Sequence, residues 1–279
     1  MEQKTRIPTE EWKAQKQAER RALLEKQNTE LEKAVSNGQS LMAFLYGRGR
    51  LGSHLSAGNA ALVLAEKSNA RAVMTLQQWN KFGRRIEKGT QGISVLVNRN
   101  GFWTAEKVYD VSQTFGDKPY RSMDLAKYPL DTKNALNALA TLCPVQLAMV
   151  EQATQPVAYD AAENRICIRM ETADFDTFRM LAKEMVKAYL ANGEGEPPNH
   201  KLCELYGECV SVELCGRFGF PPLPGAEENL EKLKDTFEPG EARAMLEEIN
   251  GFSRTLGDRV AQAFAPPEKA KPTRPVERG

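Results

Sequence analysis

Residues 183–187 read KEMVK inside the apolar-periodic run LAKEMVKAYL. On a helix, positions 183 and 187 sit one turn apart on the same face. Two neutral imidazoles there would offer lone pairs to zinc, with the intervening glutamate placed to activate a metal-bound water. Both positions are lysine instead. At neutral pH an ammonium has three donors and no acceptor, so Lys183 and Lys187 repel a divalent cation rather than ligate it. Deprotonating both at pH 7 costs several kcal/mol, at roughly 1.4 kcal/mol per pKa unit. Glu184 keeps the general-base place without a metal-bound water to act on. A later apolar helix, ELYGECVSV, carries Glu208. The chemistry on offer is therefore ion pairing of Lys183 and Lys187 with Glu184, Glu204 or Glu208 across two helices. Such buried pairs hold register without adding much stability. The chain has two histidines, His54 and His200. A makeshift metal site of His200, Cys203 and Glu208 is the remaining alternative, although a lone loop histidine is usually surface.

A second set of residues points to an anionic partner. Residues 71–99 hold Arg71, Lys81, Arg84, Arg85, Lys88 and Arg99 against one acid, Glu87, with Trp79 and Phe82 interleaved. Lysine and arginine neutralise phosphates, and exposed aromatic rings stack on unpaired bases. Glycines 83, 89 and 92 keep the chain slim, so that a nucleic-acid backbone can approach. The competing reading buries Trp79 in the core and leaves the cations as a solvated face. Charge is divided along the chain: residues 1–120 carry 19 Lys+Arg against 12 Asp+Glu, and the remainder 19 against 25. Opposite signs point to two units, the first with an anionic partner.

These groups need elements to hold them. Residues 9–36 read as a charged helix with few apolar positions, solvated or partner-dependent. In GQSLMAFLYGRGRLGSHLSAG, glycines 47, 49 and 52 interrupt the apolar run, and flexibility is expected near Arg48 and Arg50. Residues 58–68 read as a short buried helix, and RAVMTLQQWNKFG as a strand entering a helix that bears Trp79. ISVLV and FWTAEKVYDV flank the turn NRNG, a strong hairpin signal. TKNALNALATLCPVQLAMVEQ reads as a helical pair broken at Pro144, and VAYDAAENRICIRM as a second hairpin. ADFDTFRMLAKEMVKAYLA is a helix capped by Asp174 or Asp176. KLCELYGECVSVELCGRFGF is another helix, with two more at about 226–237 and 239–264. The resulting class is α+β: an N-terminal α/β domain with a β-hairpin, then a mainly helical domain with its own hairpin. Expected units are a charged helical extension (1–36), a binding domain (37–122), a helical domain (130–265) and a disordered tail (266–279). Five cysteines without a CxxC pair read as free thiols. A charged start and the lack of a long apolar run point to a cytoplasmic protein with no membrane association.

The stretch from Asn59 to Thr114 resembles the N-terminal domain of ArdC-type antirestriction proteins. The matching positions are Asn59, Leu62, Val63, Trp79, Gly83, Arg84, Ile86, Lys88, Gly89, Gly92, Ile93 and the run Asp110, Val111, Ser112, Gln113, Thr114. Thr90 and Gln91 depart from the family's common Glu-Lys. The resemblance implies single-stranded DNA binding without strong sequence preference, with Trp79, Arg84, Arg85 and Lys88 at or near the strand. Arg48, Arg50, Asn59, Arg71, Lys81 and Gln113 complete the candidate contacts. The second half is similar to zinc metallopeptidases of the ImmA/IrrE type, through Tyr159, Asp160, Asn164, Ile166 and Ile168 of the hairpin, the KEMVK helix and Glu208. That frame, with lysine at 183 and 187, implies a degenerate site: no catalytic residue, no metal, no cofactor. The expected function is single-stranded DNA binding by a mobile-element antirestriction-like protein, with conjugation or restriction proteins as further partners. The alternatives are an active zinc peptidase with a non-standard site, and an interaction scaffold for that machinery.

Overall fold

The computed structural model describes residues 9–264 apart from 53, 118, 121–122, 194–197 and 239, so the expected tail lies outside the described residues. Asn100 and Gly101 both take positive φ, 54° and 84°, as a two-residue hairpin turn requires. They join strand β3 (Ile93–Arg99) to β4 (Phe102–Asp110), with Ile93 opposite Val108 and Arg99 opposite Phe102. Strand β1 (Val73–Thr75) pairs with the other edge of β4, giving the order β1-β4-β3.

The outer edge of β3 is closed by a side chain. Asn59, on helix α3 (Ala57–Glu66), accepts from the Leu96 N–H at 2.9 Å and donates to the Leu96 C=O at 2.7 Å. Its amide thus substitutes for one residue of a neighbouring strand, satisfying backbone groups that burial would otherwise orphan. Gln27 of helix α1 (Thr9–Ala34) donates to the Asn59 side-chain oxygen at 2.9 Å. Asn59 is buried and committed, which corrects its place among the candidate strand contacts. Helix α1 is exposed over its first turns as expected, but Gln27, Leu31 and Ala34 are buried.

Residues 38–51 form one unbroken helix, α2 (Gly38–Leu51), where interruption was expected. Its glycines serve close approach. A Cβ on Gly49 would lie 2.0 Å from the Glu213 C=O of helix α7 (His200–Phe218), and one on Gly216 of α7 would lie 2.1 Å from the Tyr46 C=O. The two helices therefore cross with their backbones nearly touching, a separation that only glycine permits.

In the second half, α5 (Pro129–Ala140) leads to β6 (Gln146–Val150), β7 (Val157–Asp160) and β8 (Arg165–Arg169), in the order β6-β8-β7. The second member of the expected helical pair is β6, running parallel to β8 from Gln146 opposite Arg165. Pro144 stops the helix, and pairing with β8 then overrides the helix propensity of QLAMV. Helix α6 (Asp174–Ala191) follows; its N-cap is Ala173, and Asp174 and Asp176 sit in the first turn, where the helix dipole favours carboxylates. Helices α8 (Ala226–Leu233) and α9 (Ala242–Gln262) are the last helices of the described residues. One buried cluster runs from Leu31 to Val260, and α2 packs along α7. Among the described residues no helix is long and apolar enough to cross a membrane.

Candidate functional site

Helix α4 (Leu76–Phe82) starts at a capping box between Thr75 and Gln78 and carries Trp79 inward. Trp79 is fully buried, its Nε1–H donating to the Tyr109 C=O at 2.8 Å. Phe82 and Tyr120 meet its ring edge-on at 6.0 and 6.1 Å. Of the two readings of Trp79, the core reading holds: it supports the surface and does not form it.

Arg84 is also structural. Its Nε donates to Thr114 Oγ1 and its Nη2 to the Thr114 C=O, both at 2.8 Å. These bonds tie strand β2 (Arg85–Ile86) to β5 (Thr114–Phe115). Gln113 accepts from the Asp110 N–H at 2.8 Å and donates to the Gln91 C=O at 3.1 Å, bracing the same turn. Burial of Asp110 works to raise its pKa, but hydrogen bonds from Ser112 and from the N–H groups of Arg71 and Ala72 prevail and hold it below the ordinary value. Arg48 is withdrawn from any ligand: it is buried, donates to the Leu246 C=O at 2.7 Å and faces Glu213 at 3.4 Å. Burial drives the Glu213 pKa upward in spite of this arginine. Arg50 donates to the Ser68 C=O at 2.7 Å and lies over the Tyr46 ring.

What remains outward is a smaller set. Lys81, Arg85 and Lys88 are exposed, and their charged heads have no partner among the described residues. Phe82 is 37% exposed, and Phe115, directly across the ladder from Arg85, is 52% exposed. Sequence reasoning missed Phe115 and Tyr120. The signal was FGDKPY directly after the Asp110–Thr114 motif, an apolar ring with no apolar neighbour to bury it.

The lysine–glutamate group converges between α6 and α7. Lys183 Nζ lies 2.9 Å from Glu208 and 3.1 Å from Glu204; Lys187 Nζ lies 2.6 Å from Glu204 and 2.8 Å from Glu184. Glu184 also accepts from the Tyr159 N–H at 2.8 Å, joining the β7–β8 hairpin to the group. Gly207 lets the helices approach: a Cβ there would lie 2.8 Å from the Lys183 C=O. Burial opposes the charge on Lys183, but Glu208 and Glu204 outweigh it and its pKa rises. Glu204 also loses solvation, yet Lys187 and Lys183 hold its pKa down. His200 is exposed and 3.7 Å from Glu204, while Cys203 leans toward the Pro198 C=O at 3.7 Å. Among the described residues no three His, Cys, Asp or Glu side chains are grouped to hold a metal ion.

No protein-family model and no curated protein matches the chain. Two solved structures of the ArdC antirestriction protein of plasmid R388 are similar to it. The Mn(II)-bound one has a TM-score of 0.51 at 14% identity over 86% of this chain and 98% of that one. The metal-free one has a TM-score of 0.43 at 15% identity over 74% and 84%. At this identity the first likeness shows the fold, an ArdC-like α+β arrangement.

Proposed function

We propose that the chain binds single-stranded DNA without strong sequence preference, as an antirestriction-like protein of a mobile element, and that its second half is a scaffold without peptidase activity. The observation that carries the DNA reading is the set of unpaired cations Lys81, Arg85 and Lys88 around exposed Phe82 and Phe115. Cations without protein partners meet phosphates, and rings without apolar cover meet bases of any identity. The similar protein of plasmid R388 is named for antirestriction, which supports the mobile-element context. Residues 37–122 would supply the strand contacts and 130–265 the scaffold.

The second part rests on the donor set. In the α6–α7 group every carboxylate oxygen within reach faces an ammonium or a backbone N–H, except Glu208 Oε1. One unpartnered oxygen does not make the several-ligand shell a divalent ion needs. The residues therefore do not fit a metal such as the Mn(II) held by the plasmid R388 protein.

A labelled oligonucleotide titrated between about 50 and 200 mM salt tests the DNA reading, with log K falling by about 0.7 per decade of salt for each phosphate neutralised. Absent affinity, or affinity indifferent to salt, overturns it. Stoichiometric divalent metal in the purified protein overturns the scaffold reading.

A further inference from the structure

We propose that a pocket between α2, α7 and the α3–β1 connection binds a phosphate monoester, the group carried by the 5′ end of a DNA strand. The cavity, about 290 Å³, is lined by Arg50, Arg71 and Arg217, with Tyr46, Asp124 and Gly216 among the other walls. That volume lies at the lower end of small-ligand sites, about 300 Å³, which suits one nucleotide unit.

Three arginines and one acid, Asp124, line this space. Arg50 and Arg217 stand in the last turns of their helices, where a cation also offsets the helix dipole, and Arg217 pairs with Asp258 at 2.6 Å. Those roles do not exhaust the pocket's charge. The Arg50 Nε–H is buried with no partner, and the hold of Ser68 on its Nη2 fixes the guanidinium plane. Arg71 lies on no helix, is exposed, and its side chain has no partner among the described residues. Two guanidiniums with unused donors, set in a concavity, match a tetrahedral dianion better than a single carboxylate does. The charge argues for a strand end, since a terminal phosphate monoester brings close to two negative charges to the arginines and an internal phosphodiester only one.

A hydrogen bond ties the pocket's Arg71 to the turn that leads into the aromatic surface. The Arg71 N–H donates to Asp110 at 2.8 Å, and Asp110 caps the turn leading to Phe115. The inference rests on the DNA reading above, and one experiment separates the two. Matched oligonucleotides with a 5′-phosphate and a 5′-hydroxyl are titrated against the wild-type chain, Arg71→Gln and Arg85→Gln. The phosphorylated strand binds the wild type about ten-fold tighter, as one charge-assisted hydrogen-bond set would give. Arg71→Gln removes that ratio, weakening the phosphorylated strand far more than the hydroxyl strand, whereas Arg85→Gln weakens both strands by the same factor. Equal affinity of the two strands for the wild type, or a ratio that survives Arg71→Gln, overturns the pocket and leaves the DNA reading standing. Binding of neither strand overturns both.

Discussion

Replacing Lys183 by Met isolates what the lysine–glutamate group does for the fold. Glu208 is 1% exposed; its Oε2 has a donor in Lys183 at 2.9 Å, and its Oε1 has none. Glu204 keeps Lys187 at 2.6 Å after the substitution, so the loss concentrates on Glu208, a buried carboxylate then left without a hydrogen bond. Breaking one side of a buried pair costs about 3–5 kcal/mol, a large part of the roughly 5–15 kcal/mol that holds an ordinary domain folded. Urea unfolding at pH 7 reads it as a lower midpoint at unchanged slope. A second arm combines Lys183→Met with Glu208→Met. Exchanging both partners for apolar groups of similar volume is often neutral or stabilising, so the double variant recovers most of the loss. A single-variant cost below about 1 kcal/mol, the range of solvated surface pairs, refutes the buried-cluster account. So does a double variant no more stable than the single one.

The same group sets a pH window. Glu204 has a depressed pKa, so its contribution is present above the ordinary value of 4.5 and is lost as pH falls through the depressed one. Lys183 has a raised pKa, so its contribution is complete below the ordinary value of 10.5 and is lost as pH rises through the raised one; the stability difference between wild type and Lys183→Met measured across pH should plateau between these limits. Neutralising Arg85 and Lys88 together should flatten the DNA salt slope by about 1.4, at roughly 0.7 per phosphate, and Phe115→Ala should weaken binding by about 1–3 kcal/mol, read by oligonucleotide titration. Arg84→Gln, by contrast, should lower thermal stability, because it cuts the bonds to Thr114. Gly49→Ala would gain up to about 1 kcal/mol in an isolated helix; here it should cost about 1–3 kcal/mol by overpacking, since its Cβ would meet the Glu213 C=O at 2.0 Å, and an unchanged Tm refutes the backbone-contact reading.

Legibility in the sequence followed how local each cause was. The hairpin was readable because NRNG meets a turn's φ demands by itself, and the KEMVK face because helical spacing brings 183 and 187 together without tertiary information. Gly49 was misread because a glycine that loosens a helix and one that lets another helix touch it look identical in one chain; only Glu213, more than 160 residues away, separates the cases. Arg48 and Asn59 were assigned to a ligand for a related reason. Their partners, the Leu246 and Leu96 backbones, are distant in sequence, so each looked like a polar side chain in need of company. Phe115 went unnoticed because its one local sign, a lone apolar ring in FGDKPY, was not read as exposure. The β6 strand was hidden because its pairing with β8 lies outside any local window.

Helix α7 connects the two proposed sites. It is buried almost all round, yet it carries Glu204, Glu208 and Glu213. Each acid meets cations from a particular neighbour: Glu204 and Glu208 meet Lys183 and Lys187 of α6, and Glu213 meets Arg48 of α2. A buried carboxylate tolerates few environments, so these pairings restrict which helix lies on which face, and Gly49, Gly207 and Gly216 let the backbones come close enough to complete them. Two residues after Arg48, about 200° around α2, stands Arg50, which lines the arginine pocket. The Arg48–Glu213 pair, buried between α2 and α7, thus fixes the stretch of α2 that places Arg50 in the wall of the proposed pocket.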